Sequence, residues 1–339
     1  MAERVLVTGG AGYVGSQAAK ALAAAGYVPV VYDDLRRGNR WAVRYGPLVE
    51  APLEDRAALE AAMRAHAVTG VMHFAAYAYI GESLADPSLY LRNNVMASLN
   101  VLDAMVAAGV DALIVSSTCA VYGIPPTLPI TEATPLDPIN TYGATKAMLE
   151  EACRWYGAAH GLRTVALRYF NAAGADADGE IGERRPQESH LVPLVLDAVT
   201  GRRPPVTVLG TDYPTADGTA VRDYLHVSDI ADVHLAALAH LEAGGEGGAI
   251  NIGTGHGASV KEVIAMAEEV TGRPVPHRTG PRRAGDPPVL VADAAAATRL
   301  LGPGLFARSD LATIVADAWA WQSGEAYART FAGAGTAPA

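Results

Sequence analysis

A tyrosine and a lysine stand four positions apart in Tyr142-Gly143-Ala144-Thr145-Lys146. On a helix this spacing puts both side chains on one face. An ammonium beside a phenol favours the phenolate, so a group with an ordinary pKa near 10 can become a base at neutral pH. The spacing alone also describes a surface pair, and it gains meaning from a second string. Ser116-Ser117-Thr118 follows the apolar run Leu113-Ile114-Val115, and the C-terminal ends of strands in an open parallel sheet are where ligands bind. Thr118 can hydrogen-bond a substrate hydroxyl and relay its proton to Tyr142. The ordinary alternative is a hydroxyl that only caps the strand end.

A third string supplies a phosphate cradle. Thr8-Gly9-Gly10-Ala11-Gly12-Tyr13-Val14-Gly15 lies between an apolar run, residues 4–7, and the helix-forming stretch 16–25. Gly9 allows the tight turn, Gly12 lets the backbone approach a pyrophosphate, and Gly15 permits close helix–strand packing. The helix N-terminus then offers free N–H groups to phosphate. Asp33, followed by Asp34, stands near the end of the next strand. A carboxylate there accepts hydrogen bonds from the adenosine ribose and repels a 2′-phosphate, so NAD rather than NADP is the expected cofactor. Arg36 and Arg37 lie close by and pull the other way.

The elements that must position these residues alternate. Strands are expected at 28–32, 70–75, 112–115 and 163–169, and helices at 55–66, 88–108 and 142–160. The alternation predicts an α/β fold: a Rossmann-type doubly wound parallel sheet with a smaller α/β substrate domain. After about residue 171 glycine and proline rise, and 203–218 reads as strands joined by turns. The NAD-binding domain is therefore expected mainly over 1–171, with segments near 220–255 returning to it. Residues 172–330 would be mainly the substrate domain, with helices near 228–243 and 259–271, and 331–339 a flexible tail.

Composition narrows the class. The 339 residues, half of them apolar, exceed one typical core. Acidic residues outnumber basic ones 36 to 26, and no basic cluster suggests nucleic acid. The pairs Arg36-Arg37, Arg184-Arg185 and Arg202-Arg203 read as solvated surface charge, whereas Arg282-Arg283 has a second reading below. Two cysteines, Cys119 and Cys153, are too few for a disulfide framework, and no Cys/His spacing suggests zinc. No long uninterrupted apolar stretch predicts a membrane span. The start is strand-like and leaves no room for a signal peptide, so a cytoplasmic location is expected.

Together the nucleotide loop, Ser116-Ser117-Thr118 and Tyr142/Lys146 resemble the extended short-chain dehydrogenase/reductases. More narrowly, the chain resembles the UDP-glucose 4-epimerases over nearly its full length. The strings that carry this are His73-Phe74-Ala75-Ala76, Gly81-Glu82-Ser83, Arg168-Tyr169-Phe170-Asn171, Gly210 to Gly218 with Val221-Arg222-Asp223-Tyr224, and Arg282-Arg283-Ala284-Gly285-Asp286-Pro287. The resemblance implies that Tyr142 is the base, Lys146 its electrostatic partner and a nicotinamide-ribose ligand, and Thr118 the proton relay. It places Asn94 and Ser116 in the nicotinamide region, Tyr169 beside the cofactor, and Tyr13, Val14, Leu53, Phe74, Ala75 and Ala76 among further cofactor contacts. It assigns Asn171, His190, Leu191, Arg222 and Arg283 to the nucleotide diphosphate sugar and Asp286 to its ribose. Arginine suits a diphosphate because its fork donates several charge-assisted hydrogen bonds.

Three departures stand out. Pro52 replaces the usual Asp that contacts adenine, Ala78 a cofactor-contacting Lys of some members, and His190 a usual Asn. The resemblance also implies a homodimer through helices near 88–108 and 142–160. The expected reaction is C4 epimerisation of UDP-glucose/UDP-galactose by transient hydride transfer to tightly bound NAD. UDP-xylose/UDP-arabinose is the alternative pair, since a pocket discriminates weakly against a missing small group. A 4,6-dehydratase or a decarboxylating enzyme of the same fold would need an acid after the Ser/Thr pair, where Cys119-Ala120 stands. A non-catalytic NAD-binding protein would not need the Tyr/Lys/Thr set. Leu290 occupies the position that gates N-acetyl sugars and is intermediate in bulk.

Overall fold

A computed structural model describes residues 2–283 and 285–331; Met1, Ala284 and all but the first residue of the tail expected at 331–339 lie outside the described residues. The chain opens with β1 (Arg4–Thr8), α1 (Tyr13–Ala24), β2 (Val28–Tyr32), β3 (Leu48–Val49), α2 (Arg56–Ala65) and β4 (Gly70–His73). Next come α3 (Ile80–Ala85), α4 (Pro87–Tyr90), a π-helical turn (Leu91–Met96), α5 (Ala97–Ala108), β5 (Ala112–Thr118), α6 (Thr141–His160) and β6 (Arg163–Tyr169). The rest comprises β7 (Asn171–Ala173), α7 (Leu191–Val199), β8 (Val206–Leu209), β9 (Val221–His226), α8 (Val227–Glu242), β10 (Gly248–Ile252), β11 (Gly257–Ser259), α9 (Val260–Thr271), β12 (His277–Gly280), β13 (Val289–Leu290), α10 (Ala295–Leu301), α11 (Leu311–Ser323) and α12 (Glu325–Arg329).

Among the described residues, seven strands form one parallel sheet in the order β10-β6-β5-β4-β1-β2-β3. Its strands are apolar on both faces because helices cover both. Leu6, Val30, Val71 and Leu113 pack with α2 and α5, while Val5, Val7, Met72 and Ile114 pack with α1 and α8. The strand order reverses between β1 and β4, which opens a crevice at their C-terminal ends. β10 extends the sheet beside β6, although it follows β8 and β9 in the chain. β7, β9, β11 and β13 form a second sheet, and β8 pairs with β12. A separate core of Val192, Val195, Leu196, Val263, Ile264 and Ile314 packs there.

Three segments differ from the sequence expectation. The strand expected at 70–75 stops at His73, because Phe74 N and Ala75 N both donate to the Thr8 carbonyl and turn the chain outward. The expected helix 88–108 is divided by the π-helical turn, whose Asn94 bonds outward to Tyr77 and Thr145 instead of leaving a continuous helical face. Within 203–218 only β8 is a strand. Pro204-Pro205, Pro214 and Gly218 interrupt ladder pairing, and Tyr213 N donates to Gly218 O to close a loop. Among the described residues, no helix is long and apolar enough to cross a membrane.

Candidate active site

The glycine turn links β1 to α1. Gly9 has φ +71°, and a Cβ there would lie 2.5 Å from Ala75 N. A Cβ on Gly15 would lie 2.3 Å from Gly9 O. At Gly12 the same atom would meet only Gly9 O, at 3.1 Å. Gly12 is the N-cap of α1 and offers no side-chain cap, and no acidic residue occupies the first turn. The helix therefore presents bare N–H groups and its positive end to the cleft.

Asp33 forms the rim of that cleft. Its Oδ2 accepts from Ala11 N at 3.0 Å and its Oδ1 from Leu35 N at 2.9 Å. Burial raises its pKa, and the two backbone donors offset part of the rise. An uncapped helix end for phosphate and a buried carboxylate for ribose fit a dinucleotide. The neighbouring arginines are already engaged. Arg36 contacts Asp34 and Glu54. Arg37 grips both oxygens of Glu82 at 2.8 Å and lies 3.6 Å over the Tyr77 ring. This removes the sequence argument that weighed against NAD. Gly9, Gly12, Tyr13, Val14, Gly15, Asp33, Asp34 and Leu53 line one cleft with Phe74, Ala75 and Ala76. At Pro52, the departure from the family pattern, the carbonyl accepts from Tyr32 Oη at 3.0 Å.

The same cleft is lined by Ser116, Tyr142, Lys146 and Tyr169. Asn140 caps α6 by accepting from Gly143 N at 2.8 Å, which sets Tyr142 in the first turn. Gly143 lets α6 approach the turn after β5, since a Cβ there would lie 2.4 Å from Ala120 O. In the β5–β6 register Thr118 pairs with Tyr169, and Ser116 Oγ lies 2.5 Å from Tyr169 Oη. Thr118 Oγ1 accepts from Ala120 N at 3.1 Å. The strand-end cap is thus real, and it leaves the hydroxyl proton free to donate.

Lys146 Nζ donates to the Ser116 carbonyl at 2.7 Å. Burial raises the Tyr142 phenol, with a smaller rise from Tyr169, and what pulls it back is the Thr118 hydroxyl and the Arg185 guanidinium. Lys146 itself is lowered to about 8 by burial, with Glu150 opposing the change. Asn94 does not line the cleft. It is buried one layer behind, where Oδ1 accepts from Tyr77 N at 2.8 Å and Nδ2 donates to Tyr77 O and Thr145 Oγ1. Its side chain braces the Tyr77 wall.

Most residues expected on the sugar nucleotide lie on or near the second sheet and do not line the dinucleotide cleft. Asn171 begins β7, His190 is the N-cap of α7 and Leu191 its first residue. Arg222 and Asp286 form an ion pair at 2.6 Å. Arg283 is exposed, while neighbouring Arg282 binds Asp212 at 2.7 Å. Leu290 pairs in register with Arg222 and packs with the cluster containing Cys119 and Tyr122.

Arg184 and Arg185 were read from sequence as surface charge, yet both line the cleft. The segment carrying them is fixed through its carbonyls. Gln17 donates to Ile181 O, Trp321 to Glu183 O and Asn39 to Arg184 O. Arg185 pairs at 2.6 Å with buried Glu183, which also lies 2.8 Å from His190. No local spacing signals this, because the three tethers come from residues about 140–165 positions away.

Fold and site together define a dinucleotide-dependent enzyme of Rossmann type. The chain belongs to the NAD dependent epimerase/dehydratase family, whose sequence model matches residues 5–253. It is similar to UDP-glucose 4-epimerase from Rhizobium meliloti (strain 1021), with 47% identity over 94% of this chain and 97% of that one. The structure of UDP-glucose 4-epimerase from Brucella ovis in complex with NAD matches with a TM-score of 0.92 and 49% identity, over 94% of this chain and 98% of that one. UDP-glucose-4-epimerase from Stenotrophomonas maltophila, with bound NAD and formylated UDP-arabinopyranose, matches with a TM-score of 0.92 and 40% identity, over 96% and 99%.

Proposed function

We infer that this chain is an NAD-dependent UDP-sugar 4-epimerase whose principal pair is UDP-glucose and UDP-galactose. One observation carries the reading: Tyr142, Lys146, Ser116 and Tyr169 share a cleft with the glycine turn and Asp33. NAD, when bound, supplies the acceptor and then the donor of one hydride at the sugar C4. The Gly12 end of α1 holds its pyrophosphate, and Asp33 its adenosine ribose. Lys146 directs its remaining ammonium protons to the nicotinamide ribose.

Tyr142 Oη takes the proton of the sugar 4-hydroxyl, through Thr118 Oγ1 or directly, and later returns it. Burial keeps this exchange away from water. Arg222 and Arg283 anchor the diphosphate, with Asn171, His190 and Leu191 around it and Asp286 on the nucleotide ribose. A fixed diphosphate lets the 4-keto ring turn and present its other face. The Arg222–Asp286 pair must open or re-form around the nucleotide. The sheet containing β9 and the helices packed on it serve as the substrate lobe.

Assay of the purified protein with UDP-galactose tests this reading. A product of unchanged mass that behaves as UDP-glucose supports it, with NAD recovered after denaturation. Loss of water or carbon dioxide from the substrate overturns it. A second pair, UDP-xylose and UDP-arabinose, is favoured by the arabinopyranose ligand in the Stenotrophomonas maltophila relative. The same assay with UDP-xylose ranks the two.

A homodimer accompanies this function. Met148 and Trp155 lie seven residues apart along α6 and are 48% and 58% exposed, and Met96 is 61% exposed at the end of the π-helical turn. Large apolar side chains left in water on adjoining helices suit a partner surface. A cytoplasmic location is consistent with the two free cysteines.

A further inference from the structure

Glu150 is absent from the chemistry described above, yet it lies on α6 and bonds to β5 and β6, the elements that carry Tyr142, Lys146, Ser116, Thr118 and Tyr169. It lies on α6, one turn beyond Lys146 and two turns beyond Tyr142. Ser117, between Ser116 and Thr118 on β5, donates its hydroxyl to Glu150. Arg168, immediately before Tyr169 on β6, donates Nε at 3.0 Å and 3.1 Å to the two oxygens, and Nη2 at 2.5 Å to one of them. Both side chains are over nine-tenths buried, Glu150 at 9% and Arg168 at 7% exposure. Arg168 also donates to Tyr122 Oη at 2.8 Å, and that phenol donates to Asn251 Oδ1 at 2.7 Å. The network therefore runs from α6 through β5 and β6 to β10.

We propose that Glu150 is the positioning residue of the active site: one buried carboxylate that locks α6, β5 and β6 in register and supplies the negative field the Lys146 ammonium requires. The inference rests on the reading of Lys146 as the cofactor-facing cation. Lys146 is buried, with the Ser116 carbonyl as its protein hydrogen-bond partner. His73 on β4 and Glu150 on α6 are the groups whose charge couples to it, and Tyr142 and Tyr169 line the same cleft. His73 is held neutral, lowered to about 3 by burial and by Lys146 itself. Burial lowers Lys146 to about 8, and Glu150 is the acidic group that opposes it. Arg168 and Ser117 fix the carboxylate in place.

Lys20, Lys146 and Lys261 are the only lysines in the chain, so lysine side chains labelled with carbon-13 can be titrated individually by NMR. Lys20→Arg and Lys261→Arg variants assign the Lys146 signal. In the full-length protein as purified, the Lys146 midpoint is expected near 8, and Glu150→Gln moves it down by about one pH unit. The alkaline limb of kcat follows in the same direction, since activity needs the ammonium and the variant loses it at lower pH. Glu150→Asp, which retains the charge but retracts it by one methylene, gives a smaller shift of the same sign. An unchanged Lys146 midpoint in Glu150→Gln overturns the proposal, as does a uniform loss of activity with an unmoved limb. If Glu150→Gln does not fold, Glu150→Asp decides by the same midpoint. The titration reads the ammonium without turnover, so a failed epimerase assay and a failed proposal remain distinct.

Discussion

Lys146 Nζ donates to the carbonyl of Ser116 at 2.7 Å. The ammonium thereby ties α6 to the end of β5, and the phenol depends on Thr118 and Arg185 for the pull toward its anion. A positively charged dinucleotide in the cleft would add to that pull. This division of labour leads to distinct outcomes for each residue.

Tyr142→Phe removes the proton acceptor and little else, since the ring keeps its packing. The expected result is a fall in kcat of about a thousandfold, with NAD content per mole unchanged after denaturation. Essentially full turnover in this variant would show that another group is the base.

Thr118→Val preserves shape and deletes the relay. It also removes the cap on Ala120 N, so a small loss in Tm accompanies it. Turnover should fall by about a hundredfold while KM for UDP-galactose stays within a few-fold. A large rise in KM with unchanged kcat would assign Thr118 to binding alone.

Asp33→Asn replaces a charged acceptor that also holds Ala11 N and Leu35 N. NAD affinity is expected to fall by roughly tenfold or more. Because Arg36 and Arg37 remain bound to Glu54 and Glu82, NADP gains little. Calorimetric titration of the stripped variant with each dinucleotide checks both statements.

His73 gives the pH dependence of stability. Its ring nitrogens lie 2.6 Å from Thr8 Oγ1 and 2.8 Å from Ser98 Oγ, inside a core that excludes charge. Burial lowers its pKa to about 3, against about 6.5 in the unfolded chain. The unfolded state therefore binds the proton first, and stability falls as pH drops from about 6.5 toward 3. Tm measured across that range should decline, and His73→Gln should flatten the decline. An equally steep decline in the variant would place the acid sensitivity elsewhere.

Trp155→Glu puts a charge into the apolar surface of α6. Sedimentation at micromolar concentration is expected to report a dimer for the parent protein and a monomer for the variant. A monomeric parent would remove the proposed interface.

Local pattern carried much of this protein into view. The glycine turn, Asp33, the Ser116–Thr118 strand end and the Tyr142/Lys146 spacing are short-range features, each imposed by backbone geometry or helix periodicity within a few residues. They sufficed to anticipate a parallel sheet and the residues gathered at its switch point. Strand and helix boundaries were legible where apolar periodicity ran uninterrupted, as in 163–169 and 142–160. They were less so at 88–108, where a π-helical turn depends on Asn94 reaching Tyr77 and Thr145.

What folding alone decided was the direction in which polar side chains point once several elements meet. The bond of Lys146 to Ser116, the placement of Asn94 behind the cleft wall and the entry of Arg185 into the cleft that holds Tyr142 each depend on contacts between distant segments. The Glu150–Arg168–Ser117 lock joins a helix to two strands and has no signature along the chain. A buried charge must find its partners in three dimensions, because desolvation penalises it until it does, and linear spacing does not encode which distant donor will be there.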